Sequence, residues 1–267
     1  MNDYISKVRD FTFETYSNYL QAIQQQDIPF VLFRDFFRQP ETSSFCLLRH
    51  DVDRWPGRSL NMARMESEMG VKSTYYFRIK RNTLKPEIIK EIEALGHEIG
   101  YHYESLSDSN GDISLAIKDF EKNLDILRRY AKIDTCAMHG RPLSPYDNRD
   151  LWESPKGKHI FKQRFHLLGE VYLDIDYKDI LYINDTGRNW ASAKANFRDK
   201  VVSDITKDFE NGEMLYDYLI NNPHRKICLQ IHPERWSNNF REHAMSHTMD
   251  IVVNNIKRIV ELRRQLV

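Results

Sequence analysis

Residues 48–53, Leu-Arg-His-Asp-Val-Asp, hold the side chains best suited to chemistry. They overlap an apolar run over residues 45–48, and an apolar run that ends in charged residues is typical of a buried strand. Asp51 and Asp53 are two positions apart, so on an extended chain their carboxylates point to the same side. Two carboxylates held that close bind a cation or force one of them to keep its proton. This segment therefore predicts a chemical site at the end of a strand.

The ends of four further predicted strands carry residues of the same kinds. The chain has 10 histidines, and three of them fall at these ends. Parallel β/α folds build catalytic and metal sites from side chains at the carboxyl ends of several strands. A single histidine or aspartate there is more often a structural residue or a helix cap, so the prediction rests on the joint pattern. The further side chains are His102, Glu104, His139, Arg141, Asp185, Arg188, His232 and Glu234.

Strand-like and helix-like segments alternate along most of the chain, which predicts an α/β fold with a parallel sheet. Pro86 at a helix start, and Gly70 and Gly96 after helix ends, support the helix boundaries. The polar segment over residues 142–162 predicts a long loop over one rim. The predicted helices cover residues 16–26, 58–68, 86–95, 112–131 and 240–267, and the predicted strands cover residues 28–33, 45–48, 71–77, 97–101, 133–138, 181–184 and 227–231.

The composition is that of a folded globular protein, with 41% hydrophobic and 12% aromatic residues. Lys+Arg and Asp+Glu both number 39, so net charge gives no reason to expect nucleic acid as a partner. No stretch approaches the ~20 apolar residues of a transmembrane helix, and no signal-peptide pattern stands at the N-terminus. The three cysteines lie scattered in apolar runs and are expected to be reduced core thiols. We therefore expect a cytoplasmic protein.

Five of these segments resemble the five motifs of the polysaccharide deacetylase superfamily, also called NodB-homology or carbohydrate esterase 4-like. The most specific match is Gly-His-Glu-Ile-Gly-Tyr-His over residues 96–102. The motif order is kept over about residues 45–236. In that order, the matching segments are residues 48–53, 96–102, 141–142, 185–190 and 229–233.

This resemblance implies a distorted (β/α)7 barrel formed by residues 1–267 as a single domain. The core would be residues 45–236, with an N-terminal helix and a long C-terminal helix packed on it. The resemblance also implies a divalent metal ion and hydrolysis of an N- or O-acetyl group on a sugar. The pattern is similar to a divergent branch found with surface-polysaccharide synthesis, so a sugar or a glycan precursor is the implied substrate.

The resemblance further implies roles for individual residues. The implied catalytic residues are Asp51 as general base, Arg141 as its orienting partner, His232 as general acid and Asp185 as the partner of His232. The implied metal ligands are Asp53 and His102, and Arg188 and Trp190 are expected to line the sugar pocket. Two of these have a structural alternative, because Arg141 could stand in a turn and Trp190 could belong to the core.

The chain departs from the family pattern at three positions. Val52 separates two acids that are usually adjacent, Leu106 stands where a second metal-binding histidine is usual, and His139 precedes the arginine of motif three. The site then needs another ligand, and either Glu104 or His139 could supply it. Zn²⁺ is the expected ion; a ligand set with one histidine and several carboxylates would instead favour Mn, Fe or Co.

Two other functions remain open at this stage. One is a catalytically inactive deacetylase-like domain that binds a glycan or a partner enzyme, which the loss at Leu106 favours. The other is a hydrolase of the same fold that acts on an amide outside sugars. Retention of Asp51, Asp53, His102 and His232 favours an enzyme, since a binding module has no need of an acid pair and metal-type histidines.

Overall fold

The computed structural model describes residues 10–40, 43–141, 143–153, 155–188, 190–191, 198, 201–221 and 224–265. Helices and strands alternate along it, and the fold is α/β. The strands are β1 (Phe30–Val31), β2 (Phe45–Val52), β3 (Thr74–Phe77), β4 (Glu98–Tyr103), β5 (Ile133–Met138), β6 (Gly169–Glu170), β7 (Leu181–Asn184), β8 (Trp190–Ala191), β9 (Asp208–Phe209) and β10 (Lys226–Ile231). The helices are α1 (Phe13–Gln24), α2 (Phe33–Arg38), α3 (Pro56–Glu68), α4 (Pro86–Ala94), α5 (Ser105–Asp108), α6 (Ile113–Arg128), α7 (Asp150–Glu153), α8 (Pro155–Phe165), α9 (Gly212–Ile220) and α10 (Phe240–Gln265), with short 3-10 turns at Thr186–Arg188 and Pro233–Arg235.

The main sheet is parallel throughout and curls into a barrel-like form. Seven strands follow one another in the order β6-β5-β4-β3-β2-β10-β7, and β1 pairs with the start of β2. Among the described residues no pairing joins β6 to β7, so the barrel stays open on that side. The predicted distorted (β/α)7 barrel is confirmed. All carboxyl ends of the sheet lie at one rim, since parallel strands run in the same direction.

Strand β2 lies between β3 and β10, and all eight of its residues are buried. Alternation along a strand sends successive side chains to opposite faces. Phe45 and Leu47 pack inside the barrel, on the same face as Asp51, whereas Cys46 and Leu48 pack on the other face. The barrel side of the sheet is thus apolar at its base and becomes polar at the rim.

Helix ends agree with the glycine positions in the sequence. Gly70 has a φ of 70° after α3, and there the amide of Val71 donates to the carbonyl of Glu66 at 2.8 Å. This left-handed residue and its hydrogen bond form a Schellman motif, which ends a helix. Gly96 follows α4 with a φ of 94°. Both glycines return the chain to the sheet.

Two of the predicted segments have a different structure, and α9 (Gly212–Ile220) forms where no helix was predicted. The predicted strand over residues 28–33 is shorter, because the chain enters α2 at Phe33, whose ring is fully buried in the barrel. The predicted loop over residues 142–162 contains α7 and most of α8, which bury Trp152 and Phe161 against Phe120. The periodicity of this segment is weak in sequence because it is short and strongly charged.

Helix α10 meets the rim through polar contacts. Asp250 accepts hydrogen bonds from Arg54 and Arg188, both at 2.7 Å, and Ser246 bonds to Arg58. None of the helices in the described part of the chain has the length and apolar character that a bilayer crossing requires.

Candidate functional site

Three side chains from different strand ends converge at the rim. Asp53 follows β2, His102 lies near the end of β4, and His139 follows β5. One ligand atom of each lies within 4.8 Å of the other two. The Nε2 atom of His102 is 3.5 Å from Oδ1 of Asp53, and the Nε2 atom of His139 is 3.6 Å from Oδ2. These spacings suit three ligands around one cation.

The outer nitrogen of each ring is already hydrogen-bonded. Nδ1 of His102 is 3.0 Å from the carbonyl oxygen of Ala137, and Nδ1 of His139 is 2.9 Å from Oε2 of Glu104. Such partners fix the tautomer and turn Nε2 toward a metal. Nε2 of His102 and Oδ1 of Asp53 are buried without a hydrogen-bond partner in the described part of the chain. Two nitrogens and a carboxylate, with unsatisfied buried acceptors, fit a divalent ion such as Zn²⁺.

The charges of the cluster follow from its burial and its neighbours. Burial opposes ionisation of Asp53, but His139, His102 and Arg78 outweigh it and hold its pKa well below the usual value. Burial lowers the pKa of His102, and the nearby carboxylates offset this only in part. Burial also acts against protonation of His139, yet Asp53 and Glu104 raise its pKa to about 9. Without a metal ion, His139 is thus protonated at neutral pH and supplies the positive charge of the cluster.

Asp51 lies beside this cluster and is fully hydrogen-bonded. Nε and Nη2 of Arg49 donate to its two oxygens at 2.7 and 2.8 Å, and Nε2 of Gln230 donates to Oδ2 at 2.7 Å. The same Oδ2 is 3.5 Å from Nε2 of His102. Burial acts to raise the pKa of Asp51, but Arg49, His102 and His232 lower it below its ordinary value. Asp51 is therefore an anion next to the cluster.

The structure corrects two sequence expectations here. Arg141 pairs with Asp108 and lies 3.7 Å from Glu104, so the contact expected between Arg141 and Asp51 is made instead by Arg49. Glu104 does not belong to the converging ligand atoms, because its carboxylate binds His139 and also Arg78. Burial opposes ionisation of Glu104, yet His139 and Arg78 lower its pKa, which keeps it an anion behind His139.

His232 and Asp185 form a buried pair on the opposite side of the rim. Nδ1 of His232 is 2.6 Å from Oδ1 of Asp185. Asp185 also accepts from the amide of His232 at 3.0 Å, from Arg235 at 2.9 Å and from the indole of Trp236 at 2.8 Å. Burial opposes ionisation of Asp185, but His232 and Arg235 lower its pKa to about 2. Burial and Arg235 act against protonation of His232, but Asp185 and Asp51 outweigh them and raise its pKa.

Arg188 and Trp190, which were expected to line the sugar pocket, are both held by contacts within the described part of the chain. Arg188 donates to Asp250 at 2.7 Å and to the carbonyl of Arg235 at 2.8 Å. Trp190 is 3% exposed and stacks on Phe11, with 5.4 Å between the ring centroids. Trp190 therefore belongs to the core, and Arg188 ties the rim to α10.

Sequence reasoning missed several residues that hold the site together. Arg49 stands two positions before Asp51, and Gln230 stands two positions before His232. The alternation of side chains along a strand placed each pair on one face, so this signal was present. The contacts of Arg78 with Glu104, and of Arg235 and Trp236 with Asp185, join separate segments and had no local signal.

No family model and no curated protein matches the chain. Solved structures match it at low identity. The peptidoglycan deacetylase PdaC from Bacillus subtilis has 13% identity and a TM-score of 0.44, with 84% of this chain and 98% of that chain covered. A carbohydrate esterase of family 4 from Streptococcus mutans has 13% identity and a TM-score of 0.45, covering 90% and 91%. A pseudoenzyme of the same family from Bacillus anthracis has 13% identity and a TM-score of 0.42, covering 80% and 60%.

These solved structures are named as a peptidoglycan deacetylase and as members of carbohydrate esterase family 4.

Proposed function

We propose that this chain is a metal-dependent hydrolase that removes an N- or O-acyl group, most simply acetyl, from a sugar. The observation that carries the proposal is the meeting of Asp53, His102 and His139 within 4.8 Å, with Oδ2 of Asp51 3.5 Å from His102. A buried anion beside a three-ligand cluster is what metal-assisted hydrolysis requires. Because the motif pattern resembles the branch found with surface-polysaccharide synthesis, we propose a cytoplasmic glycan precursor as the substrate.

The roles of the residues follow from their contacts. A Zn²⁺ ion held by Asp53, His102 and His139 would polarise the acyl carbonyl and ease ionisation of the attacking water. Asp51 accepts a proton from that water while the water oxygen bonds to the carbonyl carbon. His232 donates a proton to the leaving nitrogen or oxygen of the sugar while the bond between that atom and the carbonyl carbon breaks. Asp185 holds His232 in its protonated form by the 2.6 Å contact at Nδ1.

The proposal is tested by metal analysis combined with acetate release. The purified chain is stripped with a chelator, reloaded with Zn²⁺, Mn²⁺ or Co²⁺, and assayed against a panel of N- and O-acetylated sugars. We expect about one ion per chain and acetate release that depends on it. A His102→Ala/His139→Ala variant is the control, and it should lose both the bound ion and acetate release. A protein that binds no ion after reloading and releases no acetate would instead be a non-catalytic domain that binds a glycan or a partner enzyme.

A further inference from the structure

We infer that Gln230 is a positioning residue for the hydrolysis, and that it fixes the reacting oxygen of Asp51 from the neighbouring strand. The inference rests on the proposed function. Gln230 is fully buried in β10 and stands opposite Arg49 in the register between β10 and β2. Because of this register, its side chain reaches the carboxylate of Asp51, two residues further along β2.

The direction of the Gln230 amide is set by two tyrosines. Tyr172 donates its hydroxyl to Oε1 of Gln230 at 3.3 Å, and Tyr182 also donates to Oε1. With two donors on its oxygen, the amide must turn its NH₂ group to the other side, where it donates to Asp51 at 2.7 Å. A flipped amide would set its oxygen against the carboxylate and lose both tyrosine donors.

Gln230 acts on the oxygen that matters for the reaction. It donates to Oδ2 of Asp51, and Oδ2 is the oxygen that faces His102 in the ligand cluster. Nη2 of Arg49 donates to the same oxygen at 2.8 Å, and Nε of Arg49 donates to Oδ1 at 2.7 Å. Two donors on neighbouring strands therefore fix where Oδ2 lies relative to the cluster, and Gln230 is the one that does not share a strand with Asp51.

Arg49 alone does not give this control. Arg49 and Asp51 stand on the same strand, so the hydrogen bonds between them do not tie the carboxylate to a second strand. The guanidinium lies over the ring of Tyr172 with 4.5 Å to the ring centroid. Tyr172 thus touches both Arg49 and Gln230 and holds the two donors in one arrangement. Gln230 is the donor that links the Arg49–Asp51 pair of β2 to a second strand, β10.

Two variants separate the donor role of Gln230 from its packing. Gln230→Glu keeps an acceptor for both tyrosines but removes the donor to Asp51, whereas Gln230→Leu removes both. Because small misplacements of a catalytic group are costly, we expect kcat to fall about tenfold or more in each variant. KM and the affinity for Zn²⁺ should stay unchanged, since Gln230 is fully buried and does not belong to the cluster of Asp53, His102 and His139. Tyr182→Phe keeps the donor and should give a smaller fall in kcat.

A crystal structure of each variant gives a readout that does not depend on activity. We expect the carboxylate of Asp51 to turn and Oδ2 to move away from His102. If Asp51 keeps its position and kcat is unchanged in both variants, the inference is overturned. If the native protein hydrolyses no acylated sugar, the proposed function fails, and the position of Asp51 still decides whether Gln230 orients it. Should Gln230→Leu fold poorly because two tyrosine hydroxyls lose their acceptor, Gln230→Glu decides alone.

Discussion

The acids on the two sides of the candidate site differ in how completely they are hydrogen-bonded. Asp185 accepts from the amide and ring of His232, from Arg235 and from Trp236. Oδ1 of Asp53 is also buried, although the Asp53 side chain as a whole is 20% exposed, and it has no donor in the described part of the chain. A buried polar atom without a partner is costly. The carboxylate of Asp185 thus has several donors within the protein, whereas Oδ1 of Asp53 would gain a partner if a cation bound at the cluster.

The histidines show the same difference. Burial and Arg235 oppose protonation of His232, but Asp185 and Asp51 raise its pKa, which favours the protonated form. His139 has its outer nitrogen on Glu104 and its inner nitrogen 3.6 Å from Asp53, and the inner nitrogen must give up its proton to bind an ion. In the proposed function, one side of the site keeps a proton and the other exchanges a proton for a metal ion.

The largest expected effect comes from the anion between the two sides. Asp51→Asn removes the proton acceptor but keeps the shape, so we expect kcat for acetate release to fall by about 10² to 10⁴-fold. Equilibrium dialysis should show Zn²⁺ binding close to that of the native protein, because the three ligands are intact. Activity that persists in this variant would show that another group accepts the proton.

The second-largest effect is expected at Glu104, whose carboxylate lies 2.9 Å from Nδ1 of His139. Glu104→Gln weakens the charge that orients the ring, and loss of such outer partners costs about 10 to 100-fold in metal affinity. Competition with a chelating dye measures this affinity. Asp185→Asn is the matched control on the other side, and it should leave Zn²⁺ affinity unchanged while lowering kcat. Equal losses of Zn²⁺ affinity in both variants would contradict the assignment of metal binding to the Asp53 side alone.

The pH dependence of metal binding sharpens the comparison further. Because the pKa of His139 is raised to about 9, a proton competes with the ion below that pH. We expect apparent Zn²⁺ affinity to rise by about tenfold per pH unit up to pH 9 and then to level off. The stability of the metal-free protein should change with pH in the opposite direction. The raised pKa of His139 stabilises the fold fully below the ordinary value of 6.5, and this contribution is lost as pH rises through 9. Titration calorimetry and thermal unfolding follow the two trends.

The smallest effect is expected at Arg141, which belongs to neither side. Its pair with Asp108 is exposed, so Arg141→Gln should change the free energy of unfolding by about 0.2–1 kcal/mol and leave kcat/KM unchanged. Denaturant unfolding and acetate release measure the two quantities. A large loss of activity would restore the orienting role that the sequence motif assigned to Arg141.

The sequence predicted the fold well because its signals were local. Gly70 and Gly96 marked helix ends, and the apolar run before Asp51 marked a central strand. The side on which Asp51 and Asp53 lie followed from alternation along β2. The two candidates for the missing ligand, Glu104 and His139, were also identified from position alone.

Tertiary structure decided between those candidates. The expectation for Glu104 assumed an extended chain after His102, but Glu104 has a ψ of 25° and is the N-cap residue of α5, so the rule of two-residue alternation ends there. Arg141 likewise has a φ of 33°, and its side chain runs to Asp108.

Residue types and spacings determined which groups this protein could bring to the rim, since alternation within a strand depends only on local geometry. Which of them meet depended on how chain directions change after each strand and on which buried charges find partners. Those choices are made between segments far apart in sequence, where burial makes an unpaired charge costly. Alternation along one strand already put Arg49 on the face of Asp51, whereas Gln230, 179 residues away, became its partner only in the folded sheet.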